Sequence, residues 1–382
     1  MLSENKTLEH YINLLQIIKI LFILLALNLK AQQNNSCWSN FRGDSKLTGV
    51  ASVVIPEKFS LLWSYKTGSD IKSSPVICDN TIFVGSTDGN IYALSTAGKL
   101  LWKYHTVAGV EAPPLYSNGI VVAGAMDGMV YAINGKTGKL IWKYKTDGQV
   151  SGSANLVTIK NKKYVLIPSY DYALHCLNIT DGKLVWKCET DNYLNGAPAT
   201  DNKRAVIGGC DAKIHIINVE NGKETGFVEV ETYVASSSVL NGDKAYMGDY
   251  YGNFLCVNLV KKKIVWKYSN PQTSPFIASP AFSKDKIVIG SHDKKVYCFD
   301  ALSGKILWTT LTQGKIESSP VISNNKVIIC SKDGWIRVLS LLNGKELYKY
   351  ELGIPITSSP AVTDKLIIVG AADGKIYGLG KK

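Results

Sequence analysis

Short apolar runs, each closed by a cluster of turn-forming residues, recur along almost the whole chain. One stretch reads KSSPVIC (72–78), TIFVGS (81–86), NIYALS (90–95) and LLWKYHT (100–106). Asp79-Asn80, Asp88-Gly89 and Ala97-Gly98-Lys99 separate the four runs. Runs of this length, rich in β-branched and aromatic residues and bounded by Gly, Asn and Asp, read as strands. Asp-Gly between two such runs is a strong two-residue hairpin signal. The stretch therefore predicts four antiparallel strands.

The same four-strand pattern repeats. GSTDGNIYAL (85–94) is followed by GAMDGMVYAI (124–133), PSYDYALHCL (168–177), GGCDAKIHII (208–217), GDYYGNFLCV (248–257), GSHDKKVYCF (290–299), CSKDGWIRVL (330–339) and GAADGKIYGL (370–379). Taking the Asp of each as anchor, with Tyr251 in its place in the fifth, the spacing stays near 40 residues over eight copies. Four strands per unit at this period are the signature of propeller blades. The expected fold is all-β: an eight-bladed β-propeller in which each blade buries its faces on two neighbours. The eighth copy stops at Leu379-Gly380, after its third strand. KFSLLWSYKTG (58–68) reads as a fourth strand with no first three. Pairing the two closes the ring and removes two exposed sheet edges.

A second phrase follows each third strand: AGKLLWKYHTVAG (97–109), GKTGKLIWKYKTDG (135–148), DGKLVWKCETDN (181–192) and SGKILWTTLTQG (303–314). Six of the eight Trp share its position, namely Trp63, Trp102, Trp142, Trp186, Trp266 and Trp308; Tyr348 takes the place in the seventh blade and Gly226 in the fourth. A ring placed so regularly is expected to wedge between sheets, burying about 150–250 Å². The Lys of the phrase recurs as Lys99, Lys139, Lys183, Lys223, Lys263, Lys305 and Lys345. These turns must share one face of the ring, so they predict a basic crown away from the Asp-Gly hairpins.

AINGKTGKLIW (132–142) and CFDALSGKILW (298–308) resemble the tryptophan-docking motif of the PQQ-like β-propeller repeat family, which includes quinoprotein alcohol dehydrogenases and BamB-type assembly lipoproteins. The resemblance runs over about residues 58–380. CWSNFRGDSKLTGV (37–50) is similar to the lead-in of exported propellers of this kind. It is read as a brace across the ring, with Trp38 and Phe41 buried. The expected organisation is a signal segment at 1–31, a lead-in at 32–57 and the propeller at 58–380.

The first 31 residues carry Lys19, an apolar run Ile20–Leu27 and then Ala31. A cation, a short apolar core and a small residue form a secretory signal. The run falls short of the about 20 residues that span a bilayer. Cleavage after Ala31 is expected, with an N-terminal membrane anchor as the alternative. NNSC, ending at Cys37, lacks the apolar and small residues of a lipoprotein signal. The expected location is the periplasm, the cell envelope or the exterior.

Composition adds little about chemistry. The 382 residues are 46% hydrophobic and 19% charged, a soluble profile, and 33 Gly suit many tight turns. The net charge is +12. Cys176, Cys256 and Cys298 share one third-strand position, while Cys78, Cys210 and Cys330 sit at strand ends. Equivalent sites in different blades lie too far apart for a bond that needs Cα atoms within about 7 Å. Buried free thiols are therefore expected rather than a disulfide framework, with Cys37 and Cys188 left open.

The five His are scattered, and His175 and His215 recur on third strands as structural residues. No Ser-His-Asp set, phosphate loop, nucleotide fingerprint or clustered metal ligands stand out. The repeated Asp are read as hairpin formers. The dehydrogenases of the resembling family use a vicinal Cys-Cys pair and calcium, and this chain has no such pair. An enzyme is therefore not expected, nor are a metal, PQQ or calcium. The channel mouth offers binding candidates where the innermost strands begin: Lys72, Glu111, Asn195 and Glu317, with Ser151, Val234, Ile277 and Thr357 in the same alignment. The leading expectation is a monomeric, exported, BamB-like scaffold for a protein or anionic envelope component, with peripheral membrane contact and no nucleic acid. The alternatives are a ligand- or carbohydrate-binding propeller and, behind it, a PQQ-dependent oxidoreductase.

Overall fold

Eight four-stranded antiparallel sheets follow one another around a ring, forming an eight-bladed β-propeller. The structure is a computed structural model and describes residues 37–234 and 236–381, together with Gln16 and Lys19. Apart from those two residues, the expected signal lies outside the described residues. The first blade comprises Val76–Cys78, Thr81–Ser86, Asn90–Ser95 and Leu100–His105. Its first hairpin turns at Asp79 and Asn80, both at positive φ (49° and 58°), and its second at Gly89 (φ 80°). Two successive left-handed residues suit a tight hairpin whose twist matches its strands.

The ring closes between the chain's two ends. Ser60–Lys66 pairs antiparallel with Lys375–Gly380, with Trp63 opposite Gly378 and Lys66 opposite Lys375. Every strand lies inside the compact unit Cys37–Lys382, so the ring is complete without residues 1–36. The apolar cores lie between neighbouring blades; Phe83 and Ile91 of the first meet Val121, Ala123 and Tyr131 of the second.

The first strands are shorter than the pattern suggested. The run expected over 72–78 is a strand only at Val76–Cys78. The inner edge of the blades faces the axis, and among the described residues only the seventh has a neighbouring strand there. Serines bond the backbone from blade to blade there instead. The Ala197 N–H donates to Ser237 Oγ (2.8 Å), Ser237 to Ser279 (3.1 Å), Ser279 to Ser319 (2.9 Å), Ser319 to Ser359 (2.9 Å) and Ser359 to Ser74 (2.9 Å).

Residues 37–51 run across the other end of the first strands as a girdle. The backbone N–H groups of Ile77, Tyr116, Thr200, Leu240, Phe282 and Ile322 occupy one position in six blades. They donate to the carbonyls of Trp38, Ser39, Ser45, Lys46, Thr48 and Gly49 in turn. In the third blade Asn155 does this work with its side chain: it accepts from Asn40 and from the Leu156 N–H, and donates to the carbonyls of Ser45 and Pro198. Val50 and Ala51 then add a short parallel strand to the seventh blade. Leu47 and Arg42 are almost fully buried beneath this strap.

The cysteine expectation needs one correction. Cys37 and Cys78 form a disulfide, with Cα atoms 4.6 Å apart. The lead-in folds back onto the first blade and brings together two residues that share no repeat position. Cys176, Cys188, Cys256, Cys298 and Cys330 are buried free thiols. Burial pushes Cys176, Cys298 and Cys330 up to about 12 and Cys188 and Cys256 up to about 11.

Candidate functional site

The two ends of the ring are distinguishable by their hydrogen bonds. The Gly-Lys turns bond the first-hairpin turns, as in Thr96 N–H to Asn80 O (3.3 Å), Gly135 to Gly119 (2.8 Å) and Leu341 to Asn325 (2.9 Å). These turns and the girdle make one face. On the opposite face the Asp hairpins bond the loops between blades, as in Thr87 N–H to Asp70 O (3.1 Å), Cys210 to Tyr193 (2.8 Å) and Lys332 to Lys315 (3.0 Å). The channel opens on this second face, here called the mouth face.

Each hairpin Asp bonds its own hairpin, and Asp88, Asp171, Asp293 and Asp333 also accept from the loop before their blade. Asp88 accepts from the Asn90 N–H, the Tyr92 hydroxyl (2.7 Å) and the Gly68 N–H of the loop before it (2.7 Å). Asp171 and Asp211 hold His175 and His215, each about 3.0 Å away, and Asp333 holds Arg337 at 2.7 Å. In the fifth blade Asp249 supplies the carboxylate, two residues before the expected Tyr251 position, and accepts from Asn253. These carboxylates build hairpins and leave no set of free acids.

Trp63, Trp102, Trp142, Trp186, Trp266 and Trp308 are spread around the ring, each between two blades. Each indole N–H donates to a carbonyl of the next blade: Thr96, Gly135, Ile179, Val219, Ala301 and Leu341, at 2.8–3.2 Å. The Gly of the next turn lies flat on the ring; a Cβ at Gly138 would come within 2.8 Å of Trp102. The Tyr348 hydroxyl donates to Phe59 O (2.5 Å). At Gly226 no ring is present, and the stem of Lys262 covers the site while its ammonium bonds the Thr225 carbonyl.

The mouth holds a cavity of about 190 Å³ with Phe41 of the girdle as its floor. Lys72, Ser151, Ile277, Glu317 and Thr357 line it, together with the serine ring. Lys72 is paired with Glu111 (2.8 Å), which raises its pKa. Glu317 lies 3.1 Å from His292 Nε2 and 2.7 Å from Lys332 Nζ. His292 and, against the opposing effect of burial, Lys332 hold its carboxyl down at about 2. Asn195 sits opposite Gly208 in the fourth blade's first strand. Val234 does not belong to this ring. It is fully buried against Gly208, as Val110 is against Gly85 and Val150 against Gly124. The interval from Gly226 to Val234 equals that from Trp102 to Val110 and from Trp142 to Val150, so Val234 takes the buried position one residue before the mouth ring, and the alignment by pattern slipped by one. The seven crown lysines lie on the far, girdle face.

The sequence reading missed the feature that dominates the mouth. Tyr170 and Tyr172 each meet Tyr193, with ring centroids 4.8 and 5.0 Å apart, and Tyr233 meets Tyr250 at 6.5 Å. Tyr172, Tyr193, Tyr233, Tyr250 and Tyr251 are exposed. All stand on hairpins and loops of blades three to five. Charged groups (Glu317, His292, Lys332, Lys72 and Glu111) occupy the facing arc. Asp70 stands on that arc with its Oδ1 buried and without a hydrogen-bond partner, and burial raises its pKa. The signal was present in the sequence: Tyr170 and Tyr250 both stand just before an anchor position, a register the strand pattern did not require.

The family model for the outer membrane protein assembly factor BamB matches residues 49–268 and 262–382. The chain belongs to the BamB family. No curated protein matches it. Among solved structures, BamB from Moraxella catarrhalis superposes with a TM-score of 0.72 at 16% identity, covering 85% of this chain and 98% of that one. The computationally designed Ika8 protein gives 0.73 at 20% identity, over 84% and 99% of the two chains. A europium-containing methanol dehydrogenase gives 0.74 at 14% identity, over 92% and 99%. At these identities the likeness is one of fold, and the BamB fold carries both assembly factors and dehydrogenases.

Proposed function

We propose that this chain is an exported, non-catalytic BamB-family propeller that holds a polypeptide partner at its mouth. The carrying observation is the arc of exposed tyrosines on blades three to five, whose rings meet in tilted and edge-on contacts. Tyrosine offers a large, rigid, amphipathic contact at low entropic cost, which suits protein recognition. The charged arc opposite gives such a partner register and orientation. The groups present suit holding rather than reacting. His292 and Lys332 hold the Glu317 carboxylate in its charged form, and burial keeps the Cys176 and Cys298 thiols protonated.

PQQ and calcium do not fit this mouth. The vicinal Cys-Cys pair is absent from the sequence. Among the described residues no three His, Cys, Asp or Glu side chains converge as metal ligands. Phe41 lines the cup with an apolar ring.

The serine-lined cup favours a second reading, a carbohydrate stacked on the tyrosines. A photo-crosslinking amino acid at position 233, with position 302 on the girdle face as control, separates the two in envelope extract of the native host. A protein adduct at 233, absent at 302 and lost in a Tyr172→Ser/Tyr193→Ser variant, supports the proposal. Equal adducts at both positions sink it. Binding of soluble glycans that depends on Tyr193 favours the second reading. Dye reduction after adding PQQ and calcium would show that the chain is an enzyme.

A further inference from the structure

We propose that the girdle face docks on an anionic lipid surface through a rim in which exposed lysines alternate with exposed aliphatic side chains. This goes beyond partner binding at the mouth and uses the opposite face.

The lysine of each Gly-Lys turn is followed by two aliphatic residues in five blades: Leu100 and Leu101, Leu140 and Ile141, Leu184 and Val185, Ile264 and Val265, Ile306 and Leu307. All ten stand between 38% and 54% exposed at the outer edge of the ring. On blades five to seven the turn tips themselves are aliphatic. Val260, Leu302 and Leu342 are 63%, 74% and 75% exposed, next to Lys261, Lys305 and Lys345. Of the seven crown lysines, Lys183 alone pairs with a described carboxylate, Asp181 at 3.6 Å.

Lysines alone would suit any polyanion. Aliphatic tips that protrude furthest beside them are unfavourable in water and suit the boundary between headgroups and acyl chains, where basic residues meet phosphate and apolar ones insert. The pattern also gives an orientation. Glu224 and Thr225 break the rim at blade four, where Glu220 is at the turn tip, so blades five to seven enter first.

The test uses the chain from residue 32, which retains the whole ring, with vesicles containing phosphatidylglycerol or phosphatidylcholine alone. Four proteins are compared by co-sedimentation at low and high salt. They are the wild type, Lys261→Gln/Lys305→Gln/Lys345→Gln, Val260→Ser/Leu302→Ser/Leu342→Ser, and a mouth-face control, Lys66→Gln/Lys294→Gln/Lys315→Gln. The wild type should bind anionic vesicles, and rising salt should weaken it. The lysine triple should lose about tenfold or more in affinity, since each basic residue near an anionic surface contributes several-fold. The aliphatic triple should lose about tenfold through its unburied side chains, and the control should stay within about twofold of the wild type. All substituted side chains are at turns or loops except Lys66, the last residue of the closing strand, and unchanged melting of each variant confirms folding. Equal binding to both vesicle types overturns the proposal. So does an equal loss in the control. An aliphatic triple that binds like the wild type also overturns it and leaves general polyanion attraction.

Discussion

The mouth face and the girdle face are built from the same eight repeats, yet they are held in different ways. At the mouth, each hairpin turn is closed by a carboxylate of its own, Asp88 and its counterparts, and reaches no further than the adjoining loop. Side chains at the tips are therefore free to vary, and three blades present tyrosine. At the girdle, the N–H groups of six first strands are capped by one strap of backbone, which ties distant blades together. Local self-sufficiency leaves a surface available for recognition; a shared backbone partner makes the other end structural at its centre and leaves only its rim free.

This contrast predicts which lesions cost stability. Trp142→Ala should be the most damaging single change considered. The indole is buried between two blades and bonds the Ile179 carbonyl, and its loss should cost about 3–5 kcal/mol by denaturant unfolding. A loss below about 1 kcal/mol would contradict the docking role.

Asn155→Ala tests the girdle in the one blade where a side chain replaces the backbone cap. It strands the Asn40 amide and the Pro198 carbonyl, and should cost about 2–3 kcal/mol. A neutral result would mean that the strap is held by its other bonds alone.

At the mouth, Tyr233→Ser should change stability by less than about 0.5 kcal/mol while reducing partner capture. A large destabilisation would erase the distinction between the faces.

The smallest effect separates two neighbouring blades. His175 and His215 occupy the same position, but His175 Nδ1 meets the Tyr144 hydroxyl whereas His215 Nδ1 meets Glu224. Burial lowers the pKa of His175 below the ordinary 6.5. For His215 burial acts in the same direction, but Asp211 and Glu224 overcome it and raise the pKa. His175 stays neutral when the unfolded chain protonates, so its contribution falls as pH drops through about 6.5. The contribution of His215 is present below 6.5 and falls as pH rises through its raised value. Melting temperature against pH should flatten on the acid side in His175→Asn and on the alkaline side in His215→Asn. Identical profiles would show that Glu224 does not set the difference.

Much of the fold was legible because it is local and repeated. Strand length, Asp-Gly turns and the spacing of Trp63 to Trp308 all lie within one 40-residue unit, and eight copies average out the irregular ones. Register was less secure at the channel mouth: Val234 was misplaced by one residue although its interval from Gly226 equals that of Val110 from Trp102. Lys72 and Glu317 line one cavity, and Glu111 pairs with Lys72; all three positions follow the repeat. The tyrosine arc was not read, because nothing in strand periodicity asks which hairpin tips face one another across an axis.

By itself the sequence determined the number of blades, the closing strand and the side of the ring on which the Gly-Lys turns fall. These follow from alternation, turn chemistry and the period, all short-range properties of the chain. Only the tertiary structure decided the Cys37–Cys78 bond, the girdle over the first strands, the plugged floor at Phe41 and the tyrosines gathered at one arc. Each depends on residues far apart in sequence meeting around a closed ring. The physical reason is that backbone hydrogen bonds and through-space proximity carry no residue code: any carbonyl could have capped Ile77, Leu240 or Ile322, and the path of the lead-in chose those of Trp38, Lys46 and Gly49.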